Sequence, residues 1–320
     1  MDKIKNSLPI LILRTARPRQ WMKNFALYAS LIFSGFFFYV PQEGPSYFQT
    51  VTTAFVIFSM LASSIYIIND IIDADSDRQH PFKKKRPIAS GKLPVTVAAF
   101  TAAVLIVTVF LTSFWLSDFF KLLLFAYFLL QILYAKFTKH IPILDVVSIA
   151  TGFLIRIYAG AVVVNLHMSV WFLLTVISAS LFLAVGKRQS ERTLLEGHAN
   201  LGSTRKTLKR YSQRLLDQYT GMFANATWLT YALFTFQNEY IKPPEELLGL
   251  YGILPRSFQS TKLLMITIPL VIFGVMRYLQ LVYESNQGES PEKVLVNDKP
   301  LLITGFVFLG TVMLIIYGLS

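Results

Sequence analysis

Residues Asn69 to Gly91 read NDIIDADSDRQHPFKKKRPIASG, four carboxylates (Asp70, Asp73, Asp75, Asp77) followed by five cations (Arg78, Lys83, Lys84, Lys85, Arg86). Long apolar segments flank the stretch on both sides. If the helix ending near Ile68 continues into it, Asn69, Asp73 and Asp77 fall at i, i+4 and i+8, and three oxygen-bearing side chains share one face. Asp70, seven before Asp77, borders that face. Carboxylates so close repel one another unless a cation neutralises them. Hard oxygen donors suit Mg²⁺, which keeps several waters and shares its shell with substrate phosphates. The cations that follow supply counter-charge for phosphate, Arg in bidentate fashion. The stretch therefore reads as a site for a metal and a phosphorylated ligand. A solvated loop at a membrane surface is the alternative for its basic half.

The flanks decide the class. Hydrophobic residues make up 54% of 320, charged residues 15%, and mean hydropathy is +0.51. Such a chain is an all-α integral membrane protein. Apolar runs near 22–39, 48–68, 95–116, 119–137, 142–163, 169–186, 219–236, 262–282 and 300–318 predict nine transmembrane helices. There is no Cys, which excludes disulfides, thiolate metal sites and a Cys nucleophile. Of the Lys and Arg residues, 25 fall in the N-terminal segment and the loops on its side of the membrane, against 4 in the alternate loops. The positive-inside rule then puts the N-terminus and the charged loops in the cytoplasm. Residues 1–320 are expected to form one polytopic domain, with 1–21 an interfacial segment and 69–94 and 187–218 cytoplasmic loops carrying the active site. The net charge of +12 sits in particular loops, so it does not point to nucleic acid.

Two ionisable residues fall inside a predicted span. Asp145 and Arg156 are eleven apart, three helical turns, and so share a face. Each costs about 2.5–3.5 kcal/mol at the bilayer centre, so both should face the protein interior or a watery cavity. Arg156 reads either as an interhelical contact or as a substrate contact, and Gly152 and Gly160 beside it as sites of close helix packing. After the sixth run comes Gly186-Lys187-Arg188-Gln189-Ser190-Glu191-Arg192, with Lys187, Arg188 and Glu191 within about one turn. The four His residues show no ligand spacing, and no glycine-rich phosphate loop occurs.

These motifs carry a resemblance. Asn69-Asp70-Ile71-Ile72-Asp73 through Asp77 is similar to the first aspartate-rich motif, N-D-x-x-D-x-x-x-D, of the UbiA superfamily of intramembrane prenyltransferases. Arg17-Pro18-Arg19-Gln20-Trp21-Met22-Lys23-Asn24, the H-P-x-K-x-x-R-P run at 80–87, Gly186-Lys187-Arg188 with Glu191, and Arg277-Tyr278-Leu279 through Asp298-Lys299-Pro300 resemble its decaprenyl-phosphate phosphoribosyltransferase branch. The resemblance implies nine helices in a UbiA-type fold in a bacterial plasma membrane. It also implies transfer of 5-phosphoribose from phosphoribosyl pyrophosphate to a polyprenyl phosphate, with Mg²⁺ as cofactor. Asp70, Asp73 and Asp77 would be catalytic, and Asn69, Asp73 and Asp77 metal ligands. Lys23, Asn24, Lys83, Arg86, Arg156, Lys187, Arg188, Glu191, Arg277 and Tyr278 would bind substrate. Whether the protein forms a homo-oligomer is left open. Most of the superfamily has a second aspartate-rich motif after the sixth span, but here 187–218 holds only Glu191, Glu196 and Asp217 among many cations. That departure favours a phosphoribosyl donor over the competing reading, an aromatic prenyltransferase using a prenyl diphosphate. A transporter or flippase and a lipid-binding scaffold are the non-enzyme readings. A transporter does not explain acids at a cytoplasmic loop in a chain with no evident repeat symmetry, and a scaffold has no need of an acid face of metal-binding type.

Overall fold

In the computed structural model the described residues are 7–79, 83–196, 210–237, 262–284, 294 and 297–318, with side chains to 193 in the second range. They form eleven α-helices with short 3₁₀ and π segments, and no strand occurs among them. The helices are α1 (Leu8–Ala16), α2 (Leu27–Phe33), α3 (Tyr47–Ile72), α4 (Ala74–Gln79), α5 (Val95–Ser113), α6 (Asp118–Lys136), α7 (Leu144–Val162), α8 (Val170–Glu196), α9 (Gln213–Gln237), α10 (Ile268–Tyr283) and α11 (Lys299–Met313). Among the described residues, seven helical segments are long and apolar enough to cross a membrane: α3, α5, α6, α7, α8, α10 with the turn before it, and α11 with the turn after it.

Two expected spans differ from this set. The run 22–39 is not one helix, because a 3₁₀ segment (Pro18–Ala26) leads into the seven-residue α2 and Gly35 then turns the chain at φ +80°. The run 219–236 lies in α9, which at 25 residues is long enough but falls short in apolarity.

The chain divides into two compact units. One comprises Met1–Leu31, Phe38–Phe137 and Ile155–Leu166, the other Ile32–Phe37, Thr138–Leu154 and His167–Ser320. The first unit is built on α3. A capping box starts that helix, Ser46 Oγ accepting from the Gln49 N–H while the Gln49 side chain accepts from the Ser46 N–H. Leu11 of α1, Ile67 of α3, Ala74 of α4 and Ala98 and Ala102 of α5 share one buried cluster with Ile88 and Leu93. Gly160 of α7 lies against the backbone of Leu27, where a Cβ would come within 1.9 Å of the carbonyl oxygen. The expectation that this glycine permits close packing holds. In the second unit α8 and α9 pack along each other. Val146, Ala184, Val185, Tyr211 and Leu216 form one buried cluster, and Phe182, Ala224, Tyr278, Leu281 and Val282 belong to another. Phe33, Phe172 and Phe234 interlock with ring centroids 5.3–5.5 Å apart.

Candidate active site

The acid stretch keeps its helical register across a break. α3 stops at Ile72 and Asp73 caps it at φ −88°, yet the Asp73 N–H donates to the Asn69 carbonyl at 2.9 Å and the Asp77 N–H to the Asp73 carbonyl at 2.8 Å. Asn69, Asp73 and Asp77 thus follow one another at the expected helical interval. Burial divides the acids differently. Asp70 and Asp77 are each 3% exposed, Asn69 and Asp73 are half-buried and Asp75 is exposed.

Cations reach the two buried carboxylates from outside. Nη1 of Arg86 lies 3.1 Å from Oδ1 of Asp70 and 2.5 Å from Oδ2 of Asp77, so a single nitrogen bridges both. Nζ of Lys83 is 3.9 Å from Oδ1 of Asp77. Arg17 donates to Asp70, and its guanidinium lies 5.2 Å from the centroid of the Tyr66 ring. Arg17 takes a left-handed conformation (φ +53°), an uncommon one for a side chain of this size. His80, Pro81 and Phe82 lie outside the described residues.

Lys23 is half-buried, while Asn24 and Arg156 are buried within the same unit. Asn24 Nδ2 donates to Ser59 at 2.9 Å, and its Oδ1 accepts from Arg156 Nε at 2.8 Å. Arg156 Nη2 donates to the Tyr127 hydroxyl at 2.6 Å, with the guanidinium 4.7 Å from that ring's centroid. Arg156 therefore makes interhelical hydrogen bonds, and its partners differ from those of Asp145. An apolar cavity of about 430 Å³ adjoins the region, lined by Leu8, Ile12, Leu13 and Ala16 of α1 with Met60 and Leu105 among others. Ala16 is the residue before Arg17, so the cavity lies one residue from a cation that reaches the acid stretch.

The second unit has its own charged constellation. Arg188 is 1% exposed; its Nε lies 2.7 Å from Oδ2 of Asp145, and its Nη1 donates to Glu191 one turn on. Lys187 and Glu191 are half-buried. Tyr211 donates to Asp145 at 2.7 Å. Burial, and Asp145 as its acceptor, push the Tyr211 hydroxyl above the usual tyrosine range, so it stays a donor. Gln189 Nε2 and the Tyr283 hydroxyl both donate to Asp217, at 3.0 and 2.9 Å. Arg277 grips Asp298 through Nη2 at 2.7 Å and Nε at 3.2 Å. Tyr278 is buried against Gly186, where a Cβ would come within 2.9 Å of Cε1 of the ring. The two pairs of motifs that the sequence sets far apart, Gly186 with Tyr278 and Arg277 with Asp298, are thus direct neighbours. Arg205, Lys206, Lys209 and His198 lie outside the described residues.

The model of the UbiA prenyltransferase family matches residues 26–296. The chain belongs to that family. Two curated UbiA relatives are the decaprenyl-phosphate phosphoribosyltransferases of Mycolicibacterium smegmatis and Corynebacterium glutamicum. Each is 31% identical over 309 residues, 96% of this chain, and the match covers 92% and 86% of the relatives respectively. Among solved structures, a UbiA homologue from Archaeoglobus fulgidus bound to GPP and Mg²⁺ shares the fold with TM-score 0.65 at 18% identity, over 96% of this chain and 99% of that one. The all-α UbiA fold and its place in a membrane follow from these findings together with the seven candidate spans.

The donor chemistry of this UbiA chain can be set against the expected metal. Among the described residues no three His, Asp or Glu side chains stand together as a ready-made metal cage. Magnesium held by one or two carboxylates, waters and substrate phosphates needs none. The half-buried Asn69 and Asp73 carry hard oxygens of the right kind, while those of Asp77 are engaged by Arg86 and Lys83 and would serve a metal only if these cations were displaced. The residues fit a metal that arrives with a phosphorylated ligand. Sequence reasoning gave Arg17, Tyr211 and Asp298 no role. Arg17 and Asp298 were visible within quoted motifs, whereas Tyr211 carries no local signal and gains its place through a contact 66 residues away.

Proposed function

We propose that the protein transfers 5-phosphoribose from phosphoribosyl pyrophosphate to a polyprenyl phosphate, releasing pyrophosphate at the cytoplasmic face of the membrane. The observation that carries this reading is the identity of 31% to named decaprenyl-phosphate phosphoribosyltransferases over 96% of the chain. The cation-rich sequence at 187–192 supports it, because a UbiA enzyme holding a prenyl diphosphate through two acid clusters would place carboxylates there.

Asn69, Asp73 and Asp77 would hold Mg²⁺ together with the donor's pyrophosphate, and Asp70 sits beside them to keep Arg17 and Arg86 in place. Magnesium bound there would take up the negative charge that develops on the leaving group. Arg86 and Lys83 exchange a carboxylate partner for a substrate phosphate, which their partial exposure of 27% and 46% allows. Lys187 contacts donor phosphate and Glu191 accepts from the ribose hydroxyls, with Arg188 holding Glu191. Lys23 and Arg277 add positive charge for the phosphates. Asn24, Arg156 and Tyr278, all buried, serve substrate by fixing the helices that carry the site. The acceptor is already an anionic nucleophile, so no base is needed; C1 of the ribose passes through an oxocarbenium-like state as the C–O bond to pyrophosphate breaks and the bond to the lipid phosphate forms. The acceptor's isoprenoid chain needs an apolar bed near a cationic end, and the cavity beside α1, one residue from Arg17, supplies one.

The test is transfer by purified protein in detergent with Mg²⁺, polyprenyl phosphate and phosphoribosyl pyrophosphate labelled in the ribose. Label in the extracted lipid, lost on adding EDTA, is the expected result. Consumption of a prenyl diphosphate with an aromatic acceptor, and no labelled lipid, would overturn the reading.

A further inference from the structure

The end of α8 is built more tightly than the gripping of phosphate requires. Arg188, Gln189 and Ser190 are consecutive and 1%, 1% and 0% exposed. A charged helix end ordinarily lies in solvent, and burying its cation is costly unless the guanidinium is fully matched. Asp145 and Glu191 compensate its charge, Nε standing 2.7 Å from Oδ2 of Asp145 as an ion pair outside hydrogen-bond geometry and Nη1 donating to Glu191, and Asp145 is itself held: Oδ1 accepts from Tyr211 at 2.7 Å and from the Val146 N–H at 2.9 Å. The Tyr211 oxygen in turn accepts from the Ile143 N–H at 2.5 Å. Ile143 stands at φ +69°, where a β-branched residue is an outlier kept only by its surroundings. A continuous polar chain thus runs from the strained turn before α7 through Tyr211, Asp145 and Arg188 to Glu191, all within the second unit. Of those four side chains only Glu191, at 13%, has appreciable exposure.

We propose that Asp145 and Tyr211 are positioning residues for the sugar donor: through the buried Arg188 they fix the direction in which Glu191 presents its carboxylate to the ribose hydroxyls. This rests on the phosphoribosyl-transfer reading. The planar guanidinium is suited to the task, because one rigid fork sets two carboxylates relative to each other, and an ammonium does not. Tyr211 anchors Asp145 to the backbone of the turn, so that the acid cannot follow Arg188 when donor binds.

The experiment measures kcat, the KM of each substrate and the melting temperature of purified protein carrying Asp145→Asn, Tyr211→Phe, Glu191→Gln or the pair Asp145→Asn with Glu191→Gln. Losing the ion-pair partner of the buried Arg188 should raise the donor KM about tenfold in Asp145→Asn, and losing the Tyr211 hydrogen bond to the Asp145 carboxylate about threefold in Tyr211→Phe, with the KM of polyprenyl phosphate unchanged. The double variant should be no worse than Glu191→Gln alone, since both changes act through one carboxylate. Additive effects, or equal shifts in both KM values, would overturn the proposal, as would wild-type behaviour of folded variants. If Asp145→Asn does not fold, Tyr211→Phe, which removes a single oxygen, carries the same test. Wild-type protein that transfers no ribose at all would instead sink the functional reading, so the two failures are distinct.

Discussion

The acid stretch of the first unit and the end of α8 in the second both pair acids with arginines, but they bury opposite partners. Asp70 and Asp77 are 3% and 4% exposed as side chains, while the cations that meet them, Arg17, Arg86 and Lys83, are 30%, 27% and 46% exposed. At α8 the cation is inside: Arg188 is 1% exposed, between Asp145 at 2% and Glu191 at 13%. A cation that reaches in from solvent can swing away when a metal or phosphate arrives. A buried one cannot, because its departure leaves carboxylates uncompensated in a low-dielectric setting. The first arrangement suits exchange of partners, and the second suits holding a group still.

The largest expected effect tests the exchanging site. Asp73→Ala removes a half-buried carboxylate and keeps the backbone hydrogen bonds that carry the helix through the break. Transfer should fall by about 10³-fold, as for loss of a group that stabilises charge in the transition state, with the melting temperature unchanged. Near-normal turnover at limiting Mg²⁺ would remove the acid stretch from the chemistry.

Removing one arginine from each region sharpens the contrast. Arg188→Met strands buried Asp145 and should destabilise by about 3–5 kcal/mol. Arg86→Met leaves Asp70 with Arg17 and Asp77 with Lys83, and the lost pair is partly solvated, so about 1 kcal/mol is expected, together with a raised donor KM. Denaturant unfolding in detergent gives both values, and equal losses would collapse the distinction between the two regions. An effect smaller than that of Arg188→Met is expected from Gly186→Ala: the added methyl meets the buried Tyr278 ring at 2.9 Å and should cost about 1–3 kcal/mol through overpacking. An unchanged melting temperature would mean that the ring gives way freely.

What was legible in the sequence follows the same physical line. The helical register of Asn69, Asp73 and Asp77 could be read because it depends on spacing alone, and the close packing at Gly160 because only a missing side chain tolerates it. The make-up of the apolar run 22–39 was not legible, since composition reports hydrophobicity and not whether the chain is one continuous helix through the 3₁₀ segment and Gly35. The long-range pairs within each unit were not legible at all. Arg17 meets Asp70 across 53 positions and Tyr211 meets Asp145 across 66, and nothing within a turn of either residue foretells the partner. Asp145 and Arg156 show the limit most clearly: spacing correctly puts them on one helix, but tertiary contacts give them separate partners.

The smallest predicted effect concerns Asp298, the cap of α11, which accepts from the Leu301 N–H at 2.9 Å. The hydrogen bonds from Arg277 hold its carboxyl below the usual aspartate range, aided by that N–H and opposed by partial burial. A lowered value in the folded state means that the ionised form stabilises the fold. That contribution is complete above the unfolded-state value of about 3.9 and is lost as pH falls through the folded-state value. Asp298→Asn keeps a capping oxygen and removes the charge. The difference in melting temperature between wild type and this variant should therefore be constant from neutral pH to about 5 and shrink below about 4. Arg277 is partly exposed, so salt should reduce the difference throughout. A gap that widened on acidification would mean that Asp298 is held by its neutral form, and the pairing with Arg277 would then not be what fixes the start of α11.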